Sequence, residues 1–148
     1  MKRREFIAVA SAVAALPAAA QRFQPAQDIA PLVEQLTGGT AAERKGVEVE
    51  LPQIAENGNS VPMRVRVASP MTAVDHVETI HVIAERNPRP LVATFHLGPQ
   101  SGRAEITTRV RLAGTQKVTV IAALSGKRFL IGQQEVLVTS AACLDESL

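Results

Sequence analysis

A single cysteine, Cys143, is the residue best suited to covalent chemistry in this 148-residue chain. It stands five places from the C-terminus in Thr139-Ser140-Ala141-Ala142-Cys143-Leu144-Asp145-Glu146-Ser147-Leu148. A position so close to the end is expected on a tail beyond the last core element. A lone thiol there cannot close an intramolecular disulfide and lacks companions for a metal site, so its chemistry is with something brought to it. Asp145, Glu146 and the terminal carboxylate follow directly, and negative neighbours raise a thiol's pKa. The thiolate is therefore expected to form in the electropositive pocket of a partner. An extended chain from Thr139 to Cys143 spans roughly 13 to 14 Å, enough to pass through a cleft into a neighbouring protein.

Other reactive side chains offer less. His76, His81 and His96 sit at no zinc or copper spacing, and the acids beside them, Asp75 and Glu78, fall where turn and strand-face residues stand anyway. They are read as structural, with no metal and no cofactor. A cysteine–histidine dyad would need a rigid shell around the nucleophile, which a terminal tail does not supply; a catalytic role is thus disfavoured. Gly38-Gly39 and Gly98-Pro99-Gln100-Ser101-Gly102 lack the lysine and the strand-to-helix setting of a phosphate loop and read as turns. Arg64, Arg66, Arg109 and Arg111 alternate with apolar positions, as solvated sheet faces do, with a docking surface for an acidic partner as the sharper alternative.

The N-terminus has a different character. Lys2-Arg3-Arg4 precedes an alanine-rich apolar run, Phe6 to Leu16, then Pro17 and Ala18-Ala19-Ala20. Charge, apolar run and small residues in that order predict a cleaved export signal over residues 1–20. The run is short of the roughly 20 apolar residues of a membrane span, and Arg3 and Arg4 suit the twin-arginine route, which implies a periplasmic destination. The signal holds three of the 16 basic and one of the 14 acidic residues, leaving 13 of each. The remaining chain is neutral and contains no Trp or Tyr, so neither nucleic-acid binding nor a basic membrane patch has support.

What must position the thiol is a single domain of about 130 residues. Residues 21–45 form an N-terminal helical segment: Asp28 to Leu36 combines a capping Asp, a first-turn Pro31, an apolar face of Ile29, Leu32, Val33 and Leu36, and a stop at Gly38-Gly39. From Gly46 the period becomes two. Val47, Val49 and Leu51 alternate with Glu48 and Glu50; Val61, Met63, Val65 and Val67 alternate with polar neighbours; Val110 and Leu112 flank Arg111; Val118, Val120 and Ala122 alternate with Thr119 and Ile121, predicting half-buried strands. Further β-rich runs at 77–85, 91–97 and 129–139 are separated by turn residues at Asn57-Gly58, Asn87-Pro88, Gly98-Pro99, Gly114 and Ser125-Gly126. About seven short strands over residues 46–139 predict an all-β, immunoglobulin-like β-sandwich with a short N-terminal helix. Residues 140–148 then form a flexible C-terminal arm.

The run from Leu51 to Pro62 (LPQIAENGNSVP), followed by Ser69-Pro70-Met71-Thr72, His81-Val82, Glu85-Arg86-Asn87-Pro88, Phe95-His96-Leu97 and Gly102-Arg103-Ala104, resembles SoxY. That family is the sulfur-carrying subunit of the periplasmic SoxYZ carrier of thiosulfate oxidation. The resemblance covers most of the chain after residue 20, and its LPxIAENGNxVP stretch is the specific part. It implies an immunoglobulin-like fold, twin-arginine export, a SoxZ-like sandwich partner in a heterodimer, and sulfur-oxidising client enzymes. SoxY ends in Gly-Gly-Cys-Gly-Gly, whose cysteine holds sulfur intermediates; the matching positions here are Ala141-Ala142-Cys143-Leu144-Asp145, followed by Glu146. This ending is similar to SoxY-related proteins with an "AACIE" arm. The resemblance thus implies covalent sulfur attachment at Cys143, while Ala141, Ala142 and Leu144 add bulk that a channel shaped for a glycine ribbon would exclude, so a different client enzyme is expected. The competing reading is a non-catalytic periplasmic interaction module whose cysteine makes an intermolecular disulfide.

Overall fold

The computed structural model describes residues 24–142. The residues assigned to the export signal, and Cys143, Leu144, Asp145 and Glu146 of the arm, lie outside them. Two sheets enclose one core. Strands β1 (Val47–Glu50), β3 (Val61–Val67) and β6 (Glu105–Val110) form an antiparallel sheet in the order β1-β3-β6. Strands β2 (Ile54–Ala55), β4 (Val77–Ala84), β5 (Leu91–His96), β7 (Gln116–Leu124) and β8 (Arg128–Val138) form the second sheet in the order β2-β8-β7-β4-β5. All pairs in it are antiparallel except β2 with β8. This is the expected sandwich, with eight strands instead of seven because the two-residue β2 is too short to leave a periodic trace in the sequence.

The period-two pattern does what the pleat requires. In β3 Val61, Met63, Val65 and Val67 are buried while Arg64 and Arg66 are half-exposed, because successive side chains point to opposite faces of a strand. Opposite them lie Ile80 and Val82 of β4, Val118, Val120 and Ala122 of β7, and Val136 of β8, all without exposed surface. Outside the small sheet, Arg66 bonds Glu50 at 2.7 Å and Glu48 at 3.2 Å, and Arg64 lies 3.5 Å from Glu105. Arg64 and Arg66 are therefore paired within their own sheet, which favours the solvated-face reading for these two, while Arg109 Nη1 donates to Ser60 O at 3.1 Å. Glu48 and Glu50 hold the Arg66 guanidinium above its usual pKa.

One expectation fails for a physical reason. β7 is buried on both faces: Thr119 and Ile121, the residues predicted to face solvent, are 1% and 0% exposed. The N-terminal segment covers them. Gln27 N–H donates to Glu85 O at the end of β4, and Glu43 bridges β8 through Glu43 N–H to Phe129 O and Ile131 N–H to Glu43 O. The chain between these ties must cross the outer face of β7. Within it α1 (Ala30–Thr37) turns Ile29, Leu32, Val33 and Leu36 half-buried while Glu34 and Gln35 stay exposed, the face predicted from the sequence. Its start differs from the prediction in detail: Asp28 Oδ1 accepts from Ala30 N–H at 3.0 Å, two residues on, instead of capping the helix proper. Gly38, at φ 61°, ends it in the left-handed region that glycine enters without strain.

Candidate functional site

The residues that lead to Cys143 are held on the body of the domain. β8 ends at Val138 beside the short strand β2, where Leu137 N–H donates to Gln53 O and Thr139 N–H to Ala55 O. Pairing continues past the last strand residue. Gly58 N–H donates to Ser140 O at 2.7 Å, and Ala142 N–H donates to Leu112 O at 3.0 Å. Ser140 is exposed, Ala141 is half-buried and Ala142 is only 7% exposed. Residues 140–142, assigned from the sequence to a flexible arm, are therefore the docked root of that arm. Of the segment from Thr139 to Cys143 expected to extend, Thr139, Ser140 and Ala142 are engaged by main-chain hydrogen bonds to the domain, and Cys143 lies outside the described residues.

Three separate parts of the sequence build the dock. Asn57 Oδ1 accepts from Asn59 N–H at 2.9 Å and shapes the turn that aims Gly58 N–H at the arm. Gly58 O accepts from Leu112 N–H at 2.8 Å, so Gly58 links the arm on one side to the loop after β6 on the other. No side chain fits at position 58: a Cβ there would lie 2.4 Å from Leu112 O, 2.8 Å from Ala142 N and 3.0 Å from Ser140 O. The glycine is required by close backbone approach.

Leu112, fully buried, is itself locked in place. Asn87 Nδ2 donates to Arg111 O at 2.8 Å, and Asn87 Oδ1 accepts from Ala113 N–H at 3.0 Å, so one side chain grips both peptide groups flanking the leucine. Gln116 Nε2 donates to the same Asn87 oxygen at 3.1 Å, and Gln116 Oε1 accepts from Arg86 N–H at 2.9 Å. Gln27 Nε2 reaches Asn87 O at 2.6 Å and joins the N-terminal segment to the network. Asn87 and Gln116 are 5% and 2% exposed, and buried polar groups of this kind persist only when their partners are present. Sequence reasoning treated Asn57-Gly58 and Asn87-Pro88 as turns and missed this role. Their signal was present only in the family-specific stretches AENGN and ERNP.

The histidines stand elsewhere. His81 lies on the outer face of the large sheet, its Nδ1 3.0 Å from Thr94 Oγ1 and its Nε2 3.3 Å from Thr79 Oγ1. Burial, and secondarily the neighbouring His96, lower its pKa. His76 Nδ1 is 3.0 Å from Thr72 O. Among the described residues no group of three or more His, Cys, Asp or Glu side chains is placed to hold a metal ion, and no helix is long and apolar enough to cross a membrane.

A small two-sheet sandwich whose C-terminal strand continues into residues 140–142, docked on the domain, defines the class of protein. The chain belongs to the SoxY family: the family model for sulfur oxidation protein SoxY matches residues 33–143, an interval that ends on the cysteine. Among solved structures, the sulfur carrier protein SoxY from Chlorobium limicola f thiosulfatophilum is similar, with 25% identity and a TM-score of 0.61, over 73% of this chain and 89% of that one. The superoxide reductase (neelaredoxin) of Ignicoccus hospitalis, 16% identical with a TM-score of 0.57, matches over 64% of this chain and 80% of its own. That of Nanoarchaeum equitans, 11% identical with a TM-score of 0.55, matches over 65% and 100%. The reductases share the sandwich fold alone. A search of curated protein sequences returns no match.

Proposed function

We propose that this protein is a periplasmic sulfur-carrier subunit that holds sulfur intermediates covalently on Cys143 and presents them to sulfur-oxidising client enzymes, alongside a SoxZ-like sandwich partner. The observation that carries the reading is the SoxY family match, which runs through the docked arm root to Cys143. The similar Chlorobium protein is described as a sulfur carrier. Joining a reduced sulfur compound to Sγ forms an S–S bond, releases the thiol proton and removes two electrons, which pass to an acceptor in the client enzyme. The sandwich is then a platform and the client supplies the chemistry, consistent with an acidic Asp145-Glu146 tail that does not activate its own thiol. Arg3 and Arg4 of the signal direct export.

Intact mass of the native protein under non-reducing conditions tests the reading. Small sulfur-containing adducts are expected on the wild-type chain, and Cys143→Ser removes all of them and abolishes sulfur oxidation while the unfolding midpoint stays unchanged. A disulfide-linked dimer in place of adducts would favour the interaction module. Full pathway activity of Cys143→Ser would refute the carrier.

A further inference from the structure

Gly58 is needed for neither a positive φ nor an apolar contact. Its missing side chain admits two other main chains at once, with Leu112 O, Ala142 N and Ser140 O all within 3.0 Å of where a Cβ would sit. The loop it meets is gripped from behind by Asn87 on both flanking peptide groups. A local turn would require neither arrangement. From these contacts we infer that Gly58 and Leu112, backed by Asn87, are a positioning clamp that fixes where the arm leaves the domain.

Gly58 N–H donates to Ser140 O of the arm root and Leu112 O accepts from Ala142 N–H, and Ala142 is buried. Chain beyond Ala142 therefore starts from one point, beside the Asn57-Gly58 turn and the loop between β6 and β7. A client that receives the thiol reads this end of the sandwich together with the arm. Pre-ordering the root lowers the entropy lost when the arm enters a client. The inference rests on the carrier reading for its purpose, but its physical content does not.

Because Cys143 is the only cysteine, a methanethiosulfonate nitroxide attaches there alone, and its electron spin resonance spectrum reports how firmly the root is held. No client enzyme is involved, so failure here is distinguishable from failure of the carrier assignment. The wild-type label is expected to show a dominant motion-restricted component. Gly58→Ala, and separately Ala142→Pro, which removes the N–H donated to Leu112 O, should raise the mobile-to-restricted ratio about tenfold, the effect of losing one buried hydrogen bond. Ala142→Gly keeps the N–H and should keep the restricted component. If Gly58→Ala fails to fold, Ala142→Pro decides alone, since its change lies beyond the last strand. A wild-type label as mobile as the Ala142→Pro label would overturn the clamp.

Discussion

Replacing Asn87 by Asp changes one NH2 group to oxygen and so tests the grip on Leu112 directly. The variant keeps an acceptor for Ala113 N–H and Gln116 Nε2, at 3.0 and 3.1 Å in the wild type, but turns the donor 2.8 Å from Arg111 O into a second acceptor. An ionised carboxylate at this position leaves that carbonyl without its partner, which costs about 1 to 3 kcal/mol. The substitution also takes a charge into a site only 5% exposed, where the retained donors offset part of the desolvation. A net loss of about 3 kcal/mol at pH 7 is expected, a large share of the roughly 5 to 15 kcal/mol that hold a domain together. Protonation restores an O–H donor to Arg111 O, so the folded state raises the pKa of this carboxyl above its unfolded value near 3.9. Stability relative to wild type is then best below that value and is lost as pH rises through the raised folded pKa.

Urea unfolding of wild type and variant at pH 4.5 and 7.5, compared at each pH, measures this. The deficit should be several-fold smaller at the lower pH. Asn87→Leu, which removes donor and acceptor together, should show a deficit that does not depend on pH. An Asn87→Asp deficit equal at both pH values, or below about 0.5 kcal/mol at pH 7.5, refutes the network as the support of the loop.

His81 carries a pKa below the ordinary 6.5, through burial first and His96 second. A depressed histidine pKa favours the neutral form, so its contribution is complete above 6.5 and is lost as pH falls through the folded value. His81→Gln should flatten the fall in stability between pH 7.5 and 5 seen by thermal unfolding; an unchanged slope counts against the assignment. For the proposed export route, Arg3→Lys with Arg4→Lys should strand the chain in the cytoplasm together with the proposed sandwich partner, scored by cell fractionation. Export of a signal-less partner at the normal level would show that the two do not cross together.

Reading the chain alone determined the parts of this protein that are recorded locally. Alternation at Val61, Met63, Val65 and Val67 marks the inner face of β3 because the pleat sends every second side chain inward. The apolar face and Gly38 stop of α1 follow from helical geometry and a left-handed cap. The lone Cys143 on an AAC ending and the AENGN stretch were likewise legible as the marks of a family. Tertiary structure alone decided the rest. Thr119 and Ile121 read as solvent-facing because nothing near them in the sequence announces that residues 27–43 lie over β7. The dock is hidden for the same reason: Gly58, Asn87, Leu112 and Ala142 come from four distant stretches and meet only when β2 and β8 are in register and the loop after β6 has closed. A glycine demanded by close approach, without a positive φ, has no local signature, since the atoms that exclude its side chain belong to other parts of the chain.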